Sequence, residues 1–276
     1  MLVALVPVLL LLSGCSSSSS SSSGEKPTAS ATPSPSTTAT AEAAAPPVPL
    51  VGSCHVLTVT TAADPVDPGG PVPCRRPHTA VTMKVGQLRP VVDGHLLAVD
   101  SRTVRNQIAR SCPDSAGALV GGDLKAQRLS RFEVVWFGPS LEQADAGSNW
   151  YRCDVVALRS QGQLLALPAR LKGVLDQPGA LDRFGTCGTA AAPDQPGFSR
   201  VACSQPHRSR AIDVIDLPKD ARYLARNAQA AGDASCQGSA KAAAGGELKY
   251  TWAFEWPTRA QWTAGQRYGY CWIPET

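Results

Sequence analysis

The run PTRAQWTAGQRYGYC (Pro257–Cys271) is an imperfect copy of an earlier one, PSLEQADAGSNWYRC (Pro139–Cys153). The two align without a gap, and Pro, Gln, Ala-Gly and Cys coincide. Working outward, the likeness continues. Ahead of each run lies SCPDSAGALVGGDL (Ser111–Leu124) or SCQGSAKAAAGGEL (Ser235–Leu248), again ungapped. Further ahead stand CRRPH (Cys74–His78) and CSQPH (Cys203–His207), and before those GSC (Gly52–Cys54) and GTC (Gly185–Cys187). Four markers recurring in one order read as a tandem duplication.

The repeat accounts for eight of the nine cysteines. The ninth, Cys15, ends the apolar opening MLVALVPVLLLLSGC, which resembles the lipobox of bacterial lipoproteins, where the cysteine is lipidated and becomes the mature N-terminus. A membrane-spanning helix needs roughly 20 apolar residues, more than this run provides, although no Lys or Arg precedes it as signal peptides normally require. Residues 1–15 are therefore expected to be a lipoprotein signal peptide. Residues 16–50 are rich in Ser, Pro, Thr and Ala and carry almost no large apolar side chain before their end. Such a composition cannot offset the entropy of ordering, so it reads as a tether, with a coil span of about 30–35 Å. The expected location is the outer face of the cell membrane, lipid-anchored, with the membrane itself as one partner.

Within each copy the hydrophobic pattern gives the order β-β-α-β-α-β. A strand follows each Pro-His. Each third cysteine ends a helical stretch, and Val104 and Ile108 share one face of the first. Aromatic-rich strands (FEVVWFGPS and KYTWAFEWPT) then lead to Ser140 or Thr258, both good helix N-caps, and Gly147 or Gly265 suits the helix stop. The fold class is α+β: two tandem small disulfide-stapled domains, each a mostly antiparallel sheet with about two helices. They span 51–158 and 184–276, with 159–183 as connector, in which LLALPARL extends the first sheet.

Eight cysteines in an exported chain point to disulfides. Four per copy allow three pairings. We favour first with second and third with fourth: Cys54–Cys74, Cys112–Cys153, Cys187–Cys203 and Cys236–Cys271.

Taken together, Gly-x-Cys, Cys-x-x-Pro-His leading into a strand, a helix cysteine, and Pro-x-x-x-x-Trp-x-x-Gly ahead of the last cysteine resemble the septum-formation domain of actinobacterial envelope proteins. The second copy fits best; the first has Ala144 in place of the tryptophan. The resemblance implies membrane-anchored extracytoplasmic proteins associated with cell division, and no established reaction. Members often place an acid three residues after the histidine. Here those positions are Val81 and Arg210, so both copies are expected to lack a His–carboxylate pair.

The chemistry is sparse. A structural zinc site needs four closely spaced ligands, and the four histidines, His55, His78, His95 and His207, do not supply them. Pairing consumes the thiols a cysteine nucleophile would need, and no Gly-x-Ser-x-Gly turn is present. Asp123 and Glu247 match between copies and read as turn or helix-capping acids. Pro77 and Pro206 fix the entry into the following strand, and His78 and His207 are expected to bond to backbone or cap that turn. The net charge is +4. Residues 1–50 hold only Glu25, Lys26 and Glu42, so the remainder carries +5, without a basic block; nucleic acid is not an expected partner. Aromatics crowd the second copy. Most read as core, with Trp256, Trp262, Tyr268 and Trp272 as a candidate binding surface. The expected role is a non-catalytic binding or scaffold module that meets an envelope or divisome protein or a cell-wall polymer, with no metal, cofactor or catalytic set. The alternative is a cell-wall hydrolase whose residues converge only in space.

Overall fold

Strand β2 (Ala80–Gln87) follows the first Pro-His and pairs antiparallel with β6 (Trp150–Ser160), which carries the fourth cysteine. A computed structural model describes residues 46–113, 115–218, 223 and 225–275; Cys15 and the tether as far as residue 45 lie outside them. The first sheet runs β1-β2-β6-β5, with β1 Cys54–His55 and β5 Phe132–Phe137. Between β2 and β5 lie a two-stranded hairpin, β3 (Val91–Val92) with β4 (His95–Leu96), and then helix α2 (Arg102–Ser111). The short helix α1 (Val59–Ala62) follows β1. Two further short helices, α3 (Gly117–Val120) and α4 (Leu124–Leu129), precede β5, and α5 (Leu141–Asp145) joins β5 to β6. Strand β7 (Gln163–Leu164) adds to β6, so the connector does extend the first sheet.

Helix α6 (Ala180–Phe184) opens the second half. Its sheet runs β11-β12-β10-β8-β9: β8 Thr186–Gly188, β9 Arg200–Ala202, β10 Ser209–Asp216, β11 Ala253–Glu255 and β12 Tyr268–Pro274. Helix α7 (Ala225–Ala243) carries the third cysteine, and α8 (Arg259–Thr263) joins β11 to β12. Counted from the strand of the first cysteine, the order first-second-fourth-third is the same in both sheets. So is the irregularity. Thr82 and Lys84 face Asp154 and Cys153, leaving Met83 as the extra residue of a bulge, and Ala211 and Asp213 face Trp272 and Cys271, leaving Ile212. A bulge re-aims a side chain locally; here Met83 and Ile212 each pack beside the disulfide between helix and sheet.

The local signals act as expected at the helix ends. Ser140 and Thr258 cap α5 and α8 and form capping boxes with Gln143 and Gln261. Gly147 and Gly265 follow at φ 94° and 100°, the left-handed region that stops a helix. Asp123 caps α4 by accepting from the Ala126 amide. One expectation fails. Cys112 is the residue that ends α2, but Cys236 lies inside α7, which continues to Ala243. Pro113 follows the first of these cysteines and cannot continue a helix; Gln237 and the alanines after it can.

Alternation along β6 sorts its residues. Tyr151, Cys153, Val155 and Ala157 face α2 and the connector, whereas Arg152, Asp154 and Val156 face the segment that follows β1. The connector is not a passive linker. Leu165, Leu167, Leu171 and Leu175 are buried with Val81, Val155 and Phe132 in a core that also takes in Phe184 and Ala202 of the second half. The Phe132 and Phe184 rings lie 4.8 Å apart, and the Arg131 amide donates to the Phe184 carbonyl at 2.7 Å. On the second sheet, Tyr270 and Trp272 are covered by Leu129 of α4, and the Tyr270 hydroxyl donates to the Arg128 carbonyl at 3.1 Å. The described residues between 46 and 275 thus fall in one compact unit.

Candidate functional site

The cysteines are joined first to second and third to fourth in both halves, as Cys54–Cys74, Cys112–Cys153, Cys187–Cys203 and Cys236–Cys271. Each Cys-x-x-Pro-His closes a tight turn. Nδ1 of His78 donates to the Arg76 carbonyl at 2.8 Å, and Nδ1 of His207 donates to the Gln205 carbonyl at 2.6 Å. Pro77 and Pro206 stand between donor and acceptor in each turn. His78 is 1 % exposed, and its carbonyl accepts from Leu167 of the connector.

The second turn differs in one respect and corrects a sequence expectation. Nε2 of His207 lies 2.8 Å from Glu275, so this half does have a His–carboxylate pair. The acid comes from the chain end after β12, not from the position three residues on. Arg210, which occupies that position, donates to the same carboxylate at 2.7 Å and to Asp182 at 3.0 Å. The Gln205 carbonyl and the Glu275 carboxylate thus hold the ring from its two nitrogens. Cys187, His207 and Glu275 approach one another closely, but the Cys187 sulfur is spent in its disulfide, and two ligands fall short of a structural metal site.

A second polar array lies in the first half and was not anticipated. Arg152 donates from Nε to Asp154 at 2.9 Å and from a terminal nitrogen to Asp67 at 2.5 Å. Thr82 donates to Asp154 at 2.8 Å, so its oxygen is left to accept from Nε2 of His55 at 3.3 Å. Nδ1 of His55 then faces Asp67 at 3.6 Å as a bare acceptor. Burial and the neighbouring Arg152 cation lower the His55 pKa to about 4, against the pull of Asp67. Burial pushes the Asp154 carboxyl up, and Arg152 opposes it. Side-chain exposure is 4 % or less for Arg152, Asp67 and Asp154, and His55 and Thr82 are equally sealed. No substrate reaches the array. Its work is to pin the loop that carries Asp67 onto the sheet.

That burial makes a pH prediction. His55 stays neutral in the folded protein down to about pH 4, whereas the unfolded chain takes up its proton near pH 6.5. The unfolded state therefore binds more protons between those values, and stability falls as pH drops through that window. The loss is on the order of 3 kcal/mol. Denaturant unfolding at stepped pH should show it, and His55→Gln should flatten the slope between pH 6.5 and 4. An unchanged slope in that variant would place the titration elsewhere.

One of the open grooves of the second half, of about 640 Å³, lies beside β11. Phe254 of this strand and the flanking Trp252 and Trp256 all pack in the cluster that holds Cys236 of α7. Phe254 is buried against Gly232, where an added Cβ would lie 2.0 Å from its ring. Trp252 and Trp256 stay half-buried and line the groove with Tyr223, Asp194, Asp233 and Arg259. The Arg259 guanidinium lies over the Tyr223 ring at 5.2 Å. Of the four aromatics expected to form a surface, Trp256 alone lines this groove. Trp262 is 8 % exposed and supports Tyr223 from below, with ring centroids 5.6 Å apart. Trp272 is fully buried, and its indole N–H donates to Glu255 at 3.0 Å. Tyr268 is half-buried under the Arg128 guanidinium. The reason is common to Tyr268 and Trp272: their face of β12 packs under α4 of the first half. Trp252 was missed, although the spacing Trp-x-Phe-x-Trp of a one-sided strand was legible.

The first half has a groove in the same place. It borders Trp136, which stands opposite Cys153 as Phe254 stands opposite Cys271. Its volume is about 660 Å³, and Asp64, Asp100, Arg102 and Arg105 give it balanced charge.

A family model described as septum formation matches residues 125–271. The match begins in α4, crosses the connector and ends at the last cysteine, so it takes residues from both sheets. Searches of curated proteins and of solved structures find no match.

Proposed function

Because the chain belongs to the septum-formation family, we propose that it serves the cell envelope as a non-catalytic binding module with a septum-related role. In this reading a lipid on Cys15 holds it to the outer face of the membrane, and the 16–50 segment carries the folded unit away from the surface. The Gly14-Cys15 ending of the apolar leader and the four disulfides support an exported, anchored protein. Among the described helices none is long and apolar enough to cross a membrane. The repeated strand order and repeated bulge support descent of the halves by duplication.

The observation that carries the binding role is the groove beside β11, where half-buried Trp252 and Trp256 present indole surface between unlike charges. Aromatics so placed are typical interface anchors. The hydrolase reading is weaker. The array that gathers two carboxylates and a histidine is sealed from solvent, and His207 is held by Glu275 with no hydroxyl or thiol nucleophile among its bonded partners.

The test is photocross-linking in living cells, with a photoreactive residue in the full chain at Thr258, on the groove rim, or at Arg170, outside it. Adducts are expected from Thr258 and not from Arg170, and they should disappear when Trp252 and Trp256 are both changed to Ala. Equal labelling from both positions, or none from either, would sink the proposal.

A further inference from the structure

The groove beside β11 touches all three residues of that strand, Ala253 to Glu255, and the two tryptophans that flank it. Successive side chains of a strand point to opposite faces. A groove lying over one face would meet alternate residues only; one that meets every residue runs along the strand's edge. Among the described residues, strand β11 ends its sheet and has β12 as its single strand neighbour. An edge strand turns a row of N–H and C=O groups away from its neighbour, available to a further strand.

The side chains around this edge add a second preference. Glu255 is already answered by Arg200 at 2.8 Å and by the Trp272 indole. Asp194 and Asp233 have no ion-pair partner among the described residues, and Arg259 is the one basic side chain among the described residues that line the groove. Among these residues the remaining charge is one negative unit, which favours a cation. Trp252 and Trp256, which line the same groove, provide flat apolar surface and cation-attracting rings. The first-half groove also meets consecutive edge residues, Val134 to Trp136, but its two acids are balanced by two arginines, so it lacks this preference.

We propose that the second groove takes an extended polypeptide segment bearing a Lys or Arg side chain, which adds to β11 as a further antiparallel or parallel strand and places its basic group between Asp194 and Asp233. This rests on the binding role proposed above and names the ligand class for that site. Backbone pairing supplies affinity, and the flanking pockets select alternate side chains.

The probes are short synthetic peptides added to the full oxidised chain, read by tryptophan fluorescence and calorimetry. One alternates Lys with Val. A second has Glu for Lys. A third repeats the first with alternate amides N-methylated, which removes ladder donors and leaves charge unchanged. A chitin oligosaccharide is the fourth. The Lys peptide should bind, at least about tenfold tighter than the Glu peptide and the N-methylated peptide, and Asp233→Asn should weaken it and reduce its salt dependence. Because the decisive change is made in the ligand, loss of folding in a variant cannot imitate the result. Equal binding of the N-methylated peptide would overturn strand addition, and equal binding of the Glu peptide would overturn the charge preference. If the oligosaccharide binds and the peptides do not, while Thr258 still cross-links, the ligand class fails and the binding module stands. If neither binds and Thr258 gives no adduct, both fail.

Discussion

Reductant is expected to unfold the protein under conditions in which the oxidised form is stable. In the chain-entropy account, a bridge closing 16 residues, as Cys187–Cys203 does, contributes about 3 kcal/mol, and one closing 41 residues, as Cys112–Cys153 does, about 4 kcal/mol. The four together amount to roughly 14 kcal/mol, comparable to the entire stability of an ordinary domain at about 5–15 kcal/mol. The two bridges between helix and sheet also cross the core, since Cys153, Cys236 and Cys271 are fully buried. Denaturant titrations with and without a phosphine reductant measure the effect. The midpoint should move to little or no denaturant on reduction. Replacing Cys112 and Cys153 by Ala should cost more than replacing Cys187 and Cys203. A cooperative transition at an unchanged midpoint in reductant would show that packing alone suffices.

The second large effect is expected from Arg152→Met. Its guanidinium is the shared cation of Asp67 and Asp154, and it also lies over the Phe137 ring at 4.7 Å. Removing one partner of a buried ion pair leaves uncompensated charge and costs about 3–5 kcal/mol. For a unit of this size that is a fall in Tm of roughly 10 °C. The other half shows a different solution at the matching positions. Where the first sheet has Arg152, Asp154 and Thr82, the second has Tyr270, Trp272 and Ala211, all buried without an ion pair between them. A variant that also makes Asp67→Asn and Asp154→Asn should therefore recover part of the loss, because apolar or neutral replacements of a whole buried network are often tolerated. Thermal unfolding of the single and triple variants distinguishes the cases. A single variant as stable as the parent would mean that water reaches the array.

The legible part of this fold was local. The succession of strands and helices along the chain, the helix caps and the stop glycines follow from short motifs whose physics involves a few neighbours. The expected helix end holds for α2 at Cys112 but not for α7, which continues past Cys236; the difference lay in one residue, Pro113 against Gln237. What sequence could not show was which surface covers which. Tyr268 and Trp272 look like exposed anchors until Leu129, more than a hundred positions earlier, is seen to close over them. Asp67 comes from irregular chain, so no periodicity ties it to Arg152. The acid for His207 arrives from beyond the last strand, and its partnership depends on the pairing of β12 with β10.

The four buried leucines of residues 159–183 carry a consequence for descent. A duplicated unit ordinarily keeps its freedom: either half can be lost, exchanged or recombined, because a linker is a place where a gene can be cut. Here the stretch between the halves has become a seam, with Phe184 and Ala202 of one half resting among the residues of the other. Once that seam had formed, separation would strip both halves of apolar cover at a stroke. On the duplication proposed above, the two descendants of one ancestor would then be inherited as a single unit, free to diverge in their grooves and no longer free to part.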